Sequence, residues 1–314
     1  VKALITGVSG QDGYYLAGQL LEQQVDVWGL VRGRPGPART QLRADLPGLR
    51  LVEGDLLDQS SLQTVLHDLR PQVVYNLGAI TFVGSSWAQP ALMSEVTGLG
   101  VLRLLEAIRH VDPTVRLVHA SSSEMFGDVR DTPQNERTPM SPRSPYGVAK
   151  AFAHHTIVNY RESYGIHASA AIMFNHESPR RGAEFVTRRV TKAAAEASRN
   201  RSLRLALGNL DARRDWGWAP EFMTALPLIA GRDEPGDYCL ATGESHSVAE
   251  LCEEAFNVVG LDWRDHVVST PERFRPADVE LLCGDASKAL RVLGWEAQVR
   301  FKDIVRRMVE ADLG

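Results

Sequence analysis

From residue 1 to residue 182 the chain alternates between short apolar runs and longer segments of helical periodicity, and no other feature limits its fold so tightly. The apolar runs fall at residues 1–6, 25–31, 49–52, 73–77, 115–120 and 168–174. Between them, segments such as 14–23, 62–69, 101–108 and 149–164 repeat apolar residues every three or four positions, as one face of a helix requires. Strands joined through helices run parallel with right-handed crossovers, so helices cover both faces of the sheet. The expected class is therefore α/β, a doubly wound parallel sheet.

After residue 182 the rhythm changes to helix-rich pieces at 186–198, 219–230, 248–259 and 303–311, with short strand candidates only at 203–207 and 238–241. We expect residues 1–182 to form the larger unit, with later segments returning to it, and residues 183–314 to form mainly a smaller mixed α/β lobe. Residues 32–39, rich in Gly, Pro and Arg, read as a loop.

With 314 residues, 44% of them hydrophobic and 24% charged, the chain has enough apolar material for a substantial core. It contains no apolar stretch long enough to span a bilayer and opens directly on a strand-like run, so a cytoplasmic protein is expected, with no membrane partner. A net charge of −4 offers no long-range attraction to nucleic acid, which leaves a small molecule as the expected partner. Cys239, Cys252 and Cys283 are odd in number and widely spaced; they read as reduced packing residues, and no metal site is expected.

The first strand–helix junction reads Thr6-Gly7-Val8-Ser9-Gly10-Gln11-Asp12-Gly13. Glycines three apart remove Cβ atoms where the backbone must turn tightly and approach a pyrophosphate, whose charge is met by the amides and dipole of the helix N-terminus. Gly7, Gly10, Gln11, Asp12 and Gly13 are thus expected around a dinucleotide. At the end of the second strand, enzymes that prefer NAD usually carry an acid for the ribose hydroxyls. Here the sequence is Leu30-Val31-Arg32-Gly33-Arg34, and Arg32 and Arg34 offer forked donors to a 2′-phosphate instead. NADP is the expected cofactor. Asp55 and Leu56 are placed for the adenine, and Leu77, Gly78 and Ala79, with Thr81 just beyond, for the ribose and diphosphate.

The fifth strand ends Ala120-Ser121-Ser122-Ser123-Glu124, and further on comes Ser144-Pro145-Tyr146-Gly147-Val148-Ala149-Lys150. Tyr146 and Lys150, four positions apart, share a helical face, so the ammonium can lower the phenol's pKa and yield a base near neutral pH. Such spacing is common by accident; a serine at a strand's C-terminal end and a dinucleotide turn give it weight.

These motifs resemble those of the extended short-chain dehydrogenase/reductases, which share a Rossmann-like fold, and the detail resembles GDP-mannose 4,6-dehydratase. The resemblance runs through Gly10-Gln11-Asp12-Gly13, Tyr75-Asn76-Leu77-Gly78-Ala79, Pro142-Arg143-Ser144-Pro145-Tyr146, residues 158–165 and Arg214-Asp215-Trp216-Gly217. Its most specific part is Phe174-Asn175-His176-Glu177-Ser178-Pro179-Arg180-Arg181-Gly182. It implies a cycle on a GDP-linked sugar in which the C4 hydroxyl is oxidised, water leaves across C5 and C6, and the hydride returns to C6. Tyr146 would take the C4 hydroxyl proton with Ser122 and Lys150 assisting, and Glu124 would remove the C5 proton and help the C6 hydroxyl depart. By the same resemblance Tyr146, Lys150, His176 and Arg181 contact the nicotinamide half of NADP. Ser123, Glu124, Asn175, Arg181, Arg214 and Arg275 contact the substrate, Arg214 and Arg275 beside its diphosphate. A homodimer through the helix bearing Tyr146 is implied, with a tetramer possible.

The sequence departs from the family pattern at Ser122, where the family has threonine, and at Ile80, Thr81 and Phe82, which replace Gln-Ser-His. Leu92 replaces a tyrosine, Trp218 replaces a histidine, and residues 32–48 form a shortened segment. We expect the single-residue changes to cluster where the sugar sits and to alter substrate choice, admitting a different hexose or a heptose, while the shortened segment, which in relatives reaches a neighbouring subunit, counts against a tetramer. Two other readings stay open: a reductase or epimerase of a GDP-4-keto-sugar, suggested by Thr81-Phe82-Val83, and a non-catalytic cofactor sensor.

Overall fold

The computed structural model describes residues 1–314 except Arg34, Pro35, Arg130 and Arg275, so the expectations for Arg34 and Arg275 lie outside the described residues. The chain runs β1 (Lys2–Thr6), α1 (Gln11–Glu22), β2 (Asp26–Val31), α2 (Pro37–Asp45), β3 (Arg50–Glu53), α3 (Gln59–Leu69) and β4 (Val73–Asn76). Two single-turn helices, α4 (Val83–Ser86) and α5 (Pro90–Met93), and a π-helical turn at Ser94–Leu99 lead into α6 (Gly100–Val111), β5 (Arg116–Ser122), α7 (Pro145–Tyr164) and β6 (Ala168–Met173). Then follow β7 (Asn175–Glu177), α8 (Val186–Ala197), β8 (Leu205–Leu207), β9 (Arg213–Arg214), β10 (Trp216–Trp218), α9 (Ala219–Ala230) and β11 (Asp237–Leu240). The chain closes with β12 (His246–Ser247), α10 (Val248–Val258), β13 (Val267–Ser269), α11 (Ser287–Leu293) and α12 (Phe301–Leu313).

Seven strands form one sheet in the order β11-β6-β5-β4-β1-β2-β3, and every pair is parallel. Helices cover both faces, which is why β4 and β6 are buried at every position and read as continuous apolar runs rather than alternating ones. The strand order reverses between β1 and β4, and there the crossovers leave a crevice at the strands' C-terminal ends. Gly7, Arg32, Leu77 and Glu124 all follow strands ending at that edge.

Residues beyond 182 serve two cores. Helix α9 inserts Phe222, Met223, Leu226 and Ile229 beside Leu16, Val27 and Met173 under the large sheet, and β11 extends that sheet beside β6. Helices α8, α10 and α12 build a second core from Val190, Ala194, Leu251, Phe256, Phe301 and Val305. Three two-stranded pairs, β7 with β10, β9 with β12 and β8 with β13, complete the C-terminal region.

One local expectation fails: residues 37–39, expected as loop, are the first turn of α2. Pro37 occupies the first position, where its fixed φ suits a helix and its missing N–H has no partner to lose. The three cysteines are buried and free. Among the described residues no helix is long and apolar enough to cross a membrane, and no cluster of His, Cys, Asp and Glu could hold a metal.

Candidate active site

Two confluent clefts open along the C-terminal edge of the sheet, sharing Asp12, Leu77, Thr81, Arg181, Glu184 and Phe185 as walls. The larger, about 690 Å³, is floored by the turn between β1 and α1. Gly7 takes φ +70°, and a Cβ there would lie 2.8 Å from the Gly78 nitrogen. A Cβ at Gly13 would collide with the Gly7 carbonyl oxygen. Helix α1 has Gly10 as its N-cap with no side-chain acceptor, so its first-turn amides keep their capacity for an anion. Arg32, Asp55, Leu56, Leu77, Gly78, Ala79 and Thr81 line the same cleft, as the sequence leads one to expect. These are the features a dinucleotide needs, and they fit one.

Asp12 fixes the mouth between the clefts. Its Oδ1 accepts from Gln11 Nε2 at 3.0 Å, and its Oδ2 lies 3.0 Å from His176 Nε2. Burial works against the Asp12 charge, yet the His176 imidazole and the Gln11 amide hold the carboxyl down at about 2. For His176, burial disfavours the cation but Asp12 outweighs it, so the ring is held above its ordinary value. His176 Nδ1 faces the Phe174 carbonyl oxygen at 2.7 Å, which orients the ring.

The narrower cleft, about 490 Å³, is lined by Ser122, Glu124, Tyr146 and Lys150. Ser144 caps α7 by accepting from the Gly147 amide at 3.0 Å, with Pro145 at the first helical position, so Tyr146 and Lys150 sit in the first two turns. Ser122, at the end of β5, hydrogen-bonds to the Tyr146 phenol and also accepts from the Glu124 amide at 3.3 Å. Glu124, in the tight turn after β5, is 8% exposed and lines the cleft with Ser123. A Cβ on Gly147 would fall 2.6 Å from the Glu124 carbonyl oxygen, so only glycine lets α7 approach this turn so closely.

Burial dominates the electrostatics of the pair. Burial pushes the Tyr146 phenol up to about 12; the Ser122 hydrogen bond works against this and the Glu124 charge adds to it. Lys150 sits one turn further along α7. Its Nζ donates to the Ala120 carbonyl oxygen at 2.6 Å and lies 5.9 Å from the Tyr146 ring centroid, while burial pushes its own pKa down to about 8. Sequence spacing places the two side chains on one face but carries no information on desolvation, which here is the larger effect.

Asn175, His176, Arg181 and Arg214 line the narrower cleft. Arg181 lies over the Phe185 ring at 3.7 Å and reaches Glu177 Oε2 at 3.3 Å. Arg214 is held by the Val279 carbonyl oxygen at 2.7 Å and by Asp278 Oδ1 at 3.4 Å. Of the departures from the family pattern, Phe82 lines this cleft and packs edge-on against Phe185, and Ile80 lines the larger one. Leu92 and Trp218 line neither: Leu92 is 40% exposed on α5, and Trp218 lies under the Arg307 guanidinium.

Sequence reasoning also missed four cleft arginines. Arg39 and Arg180 line the larger cleft, Arg189 and Arg273 the narrower one. Arg39 falls in a stretch of loop-like composition, yet as the third residue of α2 it turns inward. Arg189 follows Arg188, and no pattern distinguishes the cleft-lining residue from the one that pairs with Asp312.

A parallel doubly wound sheet, a glycine turn under a dinucleotide-sized cleft and a buried Ser–Tyr–Lys group define an extended short-chain dehydrogenase/reductase. The solved structures agree. The NAD complex of UDP-glucose 4-epimerase from Thermus thermophilus superposes with a TM-score of 0.87 at 27% identity, covering 100% of this chain and 99% of that one. The NAD complex of dTDP-glucose 4,6-dehydratase from Bacillus anthracis gives 0.85 at 19% identity, covering 99% and 96%, and speaks for the fold alone. The family model described as GDP-mannose 4,6 dehydratase matches residues 4–308, and the chain belongs to that family. GDP-mannose 4,6 dehydratase 1 of Arabidopsis thaliana is 44% identical over 99% of this chain and 89% of its own length. The Sinorhizobium fredii GDP-mannose 4,6-dehydratase is 42% identical over 99% and 96%, and the human enzyme 40% over 99% and 91%.

Proposed function

We propose that this chain is a hydro-lyase that converts GDP-mannose to GDP-4-keto-6-deoxymannose, with NADP as its recycled cofactor. Membership in the dehydratase family supports the reaction. The observation that carries it is Glu124: a carboxylate in the same buried cleft as Ser122, Tyr146 and Lys150, close enough to Tyr146 to shift its pKa. A 4-keto-sugar reductase or epimerase needs the serine, tyrosine and lysine but has no work for that acid.

When bound, the oxidised nicotinamide supplies a positive charge and the hydride acceptor. The chain's own residues do the rest. Tyr146 takes the proton of the C4 hydroxyl, held in line by Ser122, and Lys150 adds positive charge beside it. With C4 a ketone, the C5 hydrogen becomes acidic; Glu124 removes it and delivers a proton to the departing C6 hydroxyl, so water is lost. As the hydride taken from C4 returns to C6, Tyr146 gives its proton back to C5, so neither a proton nor a reducing equivalent is consumed overall. His176, anchored by Asp12 and the Phe174 carbonyl, and Arg181 line the junction where the nicotinamide and the sugar would meet. Arg214, with Arg189 and Arg273, offers guanidinium groups to a diphosphate. Arg32 and Arg39 on the larger cleft support NADP over NAD. We further assign residues 1–182, with α9 and β11, to cofactor binding and the remainder mainly to the sugar nucleotide.

Purified protein given GDP-mannose and a catalytic amount of NADP should yield a product lighter by one water with no net NADPH. An unchanged substrate mass, with turnover only on a 4-keto sugar and stoichiometric NADPH, would instead establish a reductase.

A further inference from the structure

Beneath the site, three polar side chains occupy one row of the sheet. Thr6 on β1 is in register with Asn76 on β4, and Asn76 with His119 on β5; each is 1% exposed. Among buried apolar strands such a row costs free energy unless its hydrogen bonds close. Those that form run in a single direction. The Gly78 amide donates to Thr6 Oγ1 at 2.9 Å, and a backbone N–H can only donate. The Thr6 hydroxyl donates in turn to Asn76 Oδ1 at 2.6 Å. That fixes the Asn76 amide, whose Nδ2 faces His119 Nδ1 at 3.1 Å, so Nδ1 must carry the lone pair and the ring proton must sit on Nε2. His119 Nε2 is buried and has no hydrogen-bond partner.

The far end of this chain is the cofactor cleft. Gly78 lies against Gly7: a Cβ on Gly78 would be 2.9 Å from Thr6 Oγ1 and 3.3 Å from the Gly7 nitrogen. The two glycine loops flooring the larger cleft are therefore held against each other through Thr6. Protonation would turn His119 Nδ1 into a donor facing another donor. Burial opposes the cation, as do Lys150 and His154, the titratable groups that face it from α7, and together they outweigh the Asn76 backbone, which favours it.

We propose that His119 is a positioning residue for the cofactor cleft, the terminal acceptor of a buried relay His119–Asn76–Thr6–Gly78 that fixes the loop after β4 against the loop after β1. This rests on the reading of the larger cleft as a dinucleotide site. His119 itself lines neither cleft.

The test compares His119→Asn, whose side-chain oxygen can accept where Nδ1 does, with His119→Leu, which cannot accept. His119→Leu should raise the dissociation constant for NADP about tenfold, with kcat at saturating cofactor within about twofold of the parent; His119→Asn should restore binding to within about twofold. Nitrogen-15 NMR of the ligand-free protein should show His119 as the Nε2–H tautomer, a readout independent of any ligand. Equal losses in both variants, or a cationic or Nδ1–H ring, would overturn the relay. Failure of the parent protein to bind any nicotinamide dinucleotide would instead overturn the cleft's assignment. Should His119→Leu fold poorly, Asn76→Asp tests the same relay: losing the Nδ2 donor should release the fixed tautomer, and an unchanged NMR signature would refute it.

Discussion

Tyr146 and Glu124 face one cleft, and their different chemistry lets two substitutions separate two steps. Tyr146→Phe removes the hydroxyl that Ser122 bonds and should lower kcat by about a thousandfold, with NADP affinity, followed by fluorescence titration, almost unchanged. Glu124→Gln keeps the shape and removes the base. It should still oxidise C4, seen as stoichiometric NADPH absorbance, while dehydrated product falls at least about a hundredfold. Full turnover by this variant would refute the assignment. Asp12 and His176 give the site a pH signature. The lowered Asp12 value means its stabilisation is complete above its ordinary value of 3.8 and is lost as pH falls towards about 2. The raised His176 value works in the opposite sense: its share is complete below 6.5 and is lost as pH rises through the folded-state value. Asp12→Asn should therefore destabilise the protein between about pH 4 and 6 and flatten the acid limb of Tm against pH. An unchanged acid limb would mean the pair is not coupled. At this scale the sequence was legible for residue identity and largely silent on environment: Tyr146 and Lys150 announced themselves by spacing, but the burial that governs their pKa values depends on Ser122, Glu124 and Ala120, which come from β5 and the turn after it.

Helix α2 shows how an element can carry a specificity that a motif does not. The acid-free end of β2 was readable and put Arg32 at the cleft, but Arg39 depends on the chain turning helical at Pro37, and the surrounding Gly-Pro composition argued for a loop. Arg39 bonds the Gly33 carbonyl and Glu53 Oε1, the latter at 3.0 Å, so it stands on the larger cleft with one carboxylate already engaged. Replacing Arg32 and Arg39 together with alanine should weaken NADP roughly tenfold or more while changing NAD by no more than about twofold, because only NADP offers the dianion that forked donors hold. Equal losses for both cofactors would remove the basis for NADP.

At the scale of the whole molecule, alternation alone carried the six-strand pattern up to β6, since each crossover there is local in sequence. The return of α9 and β11 to the large sheet was harder to see, because burial of Phe222 and Leu240 against residues far away in the chain leaves no period in the sequence. The expected homodimer would likewise be written in exposure rather than in motif. Helix α7 buries Tyr146, Lys150, Ala153 and Ile157 on one side and leaves Val148 54% and Phe152 43% exposed on the other, one turn apart. His155 and Asn159 continue the same exposed stripe. A helix whose buried face already fills the core has no internal use for a second apolar face, and covering Val148 and Phe152 with a second copy of α7 would remove them from water in one step. The expected homodimer then buries the outer side of the helix that carries the reacting groups on its inner side. Val148→Glu with Phe152→Glu should place like charges in that interface and give a monomer in sedimentation equilibrium. Because α7 also positions Tyr146 and Lys150, kcat should fall in the monomer even though neither substituted residue touches the cleft. A parent protein that sediments as a monomer, or a double variant that remains dimeric, would show that the pair lies outside any interface.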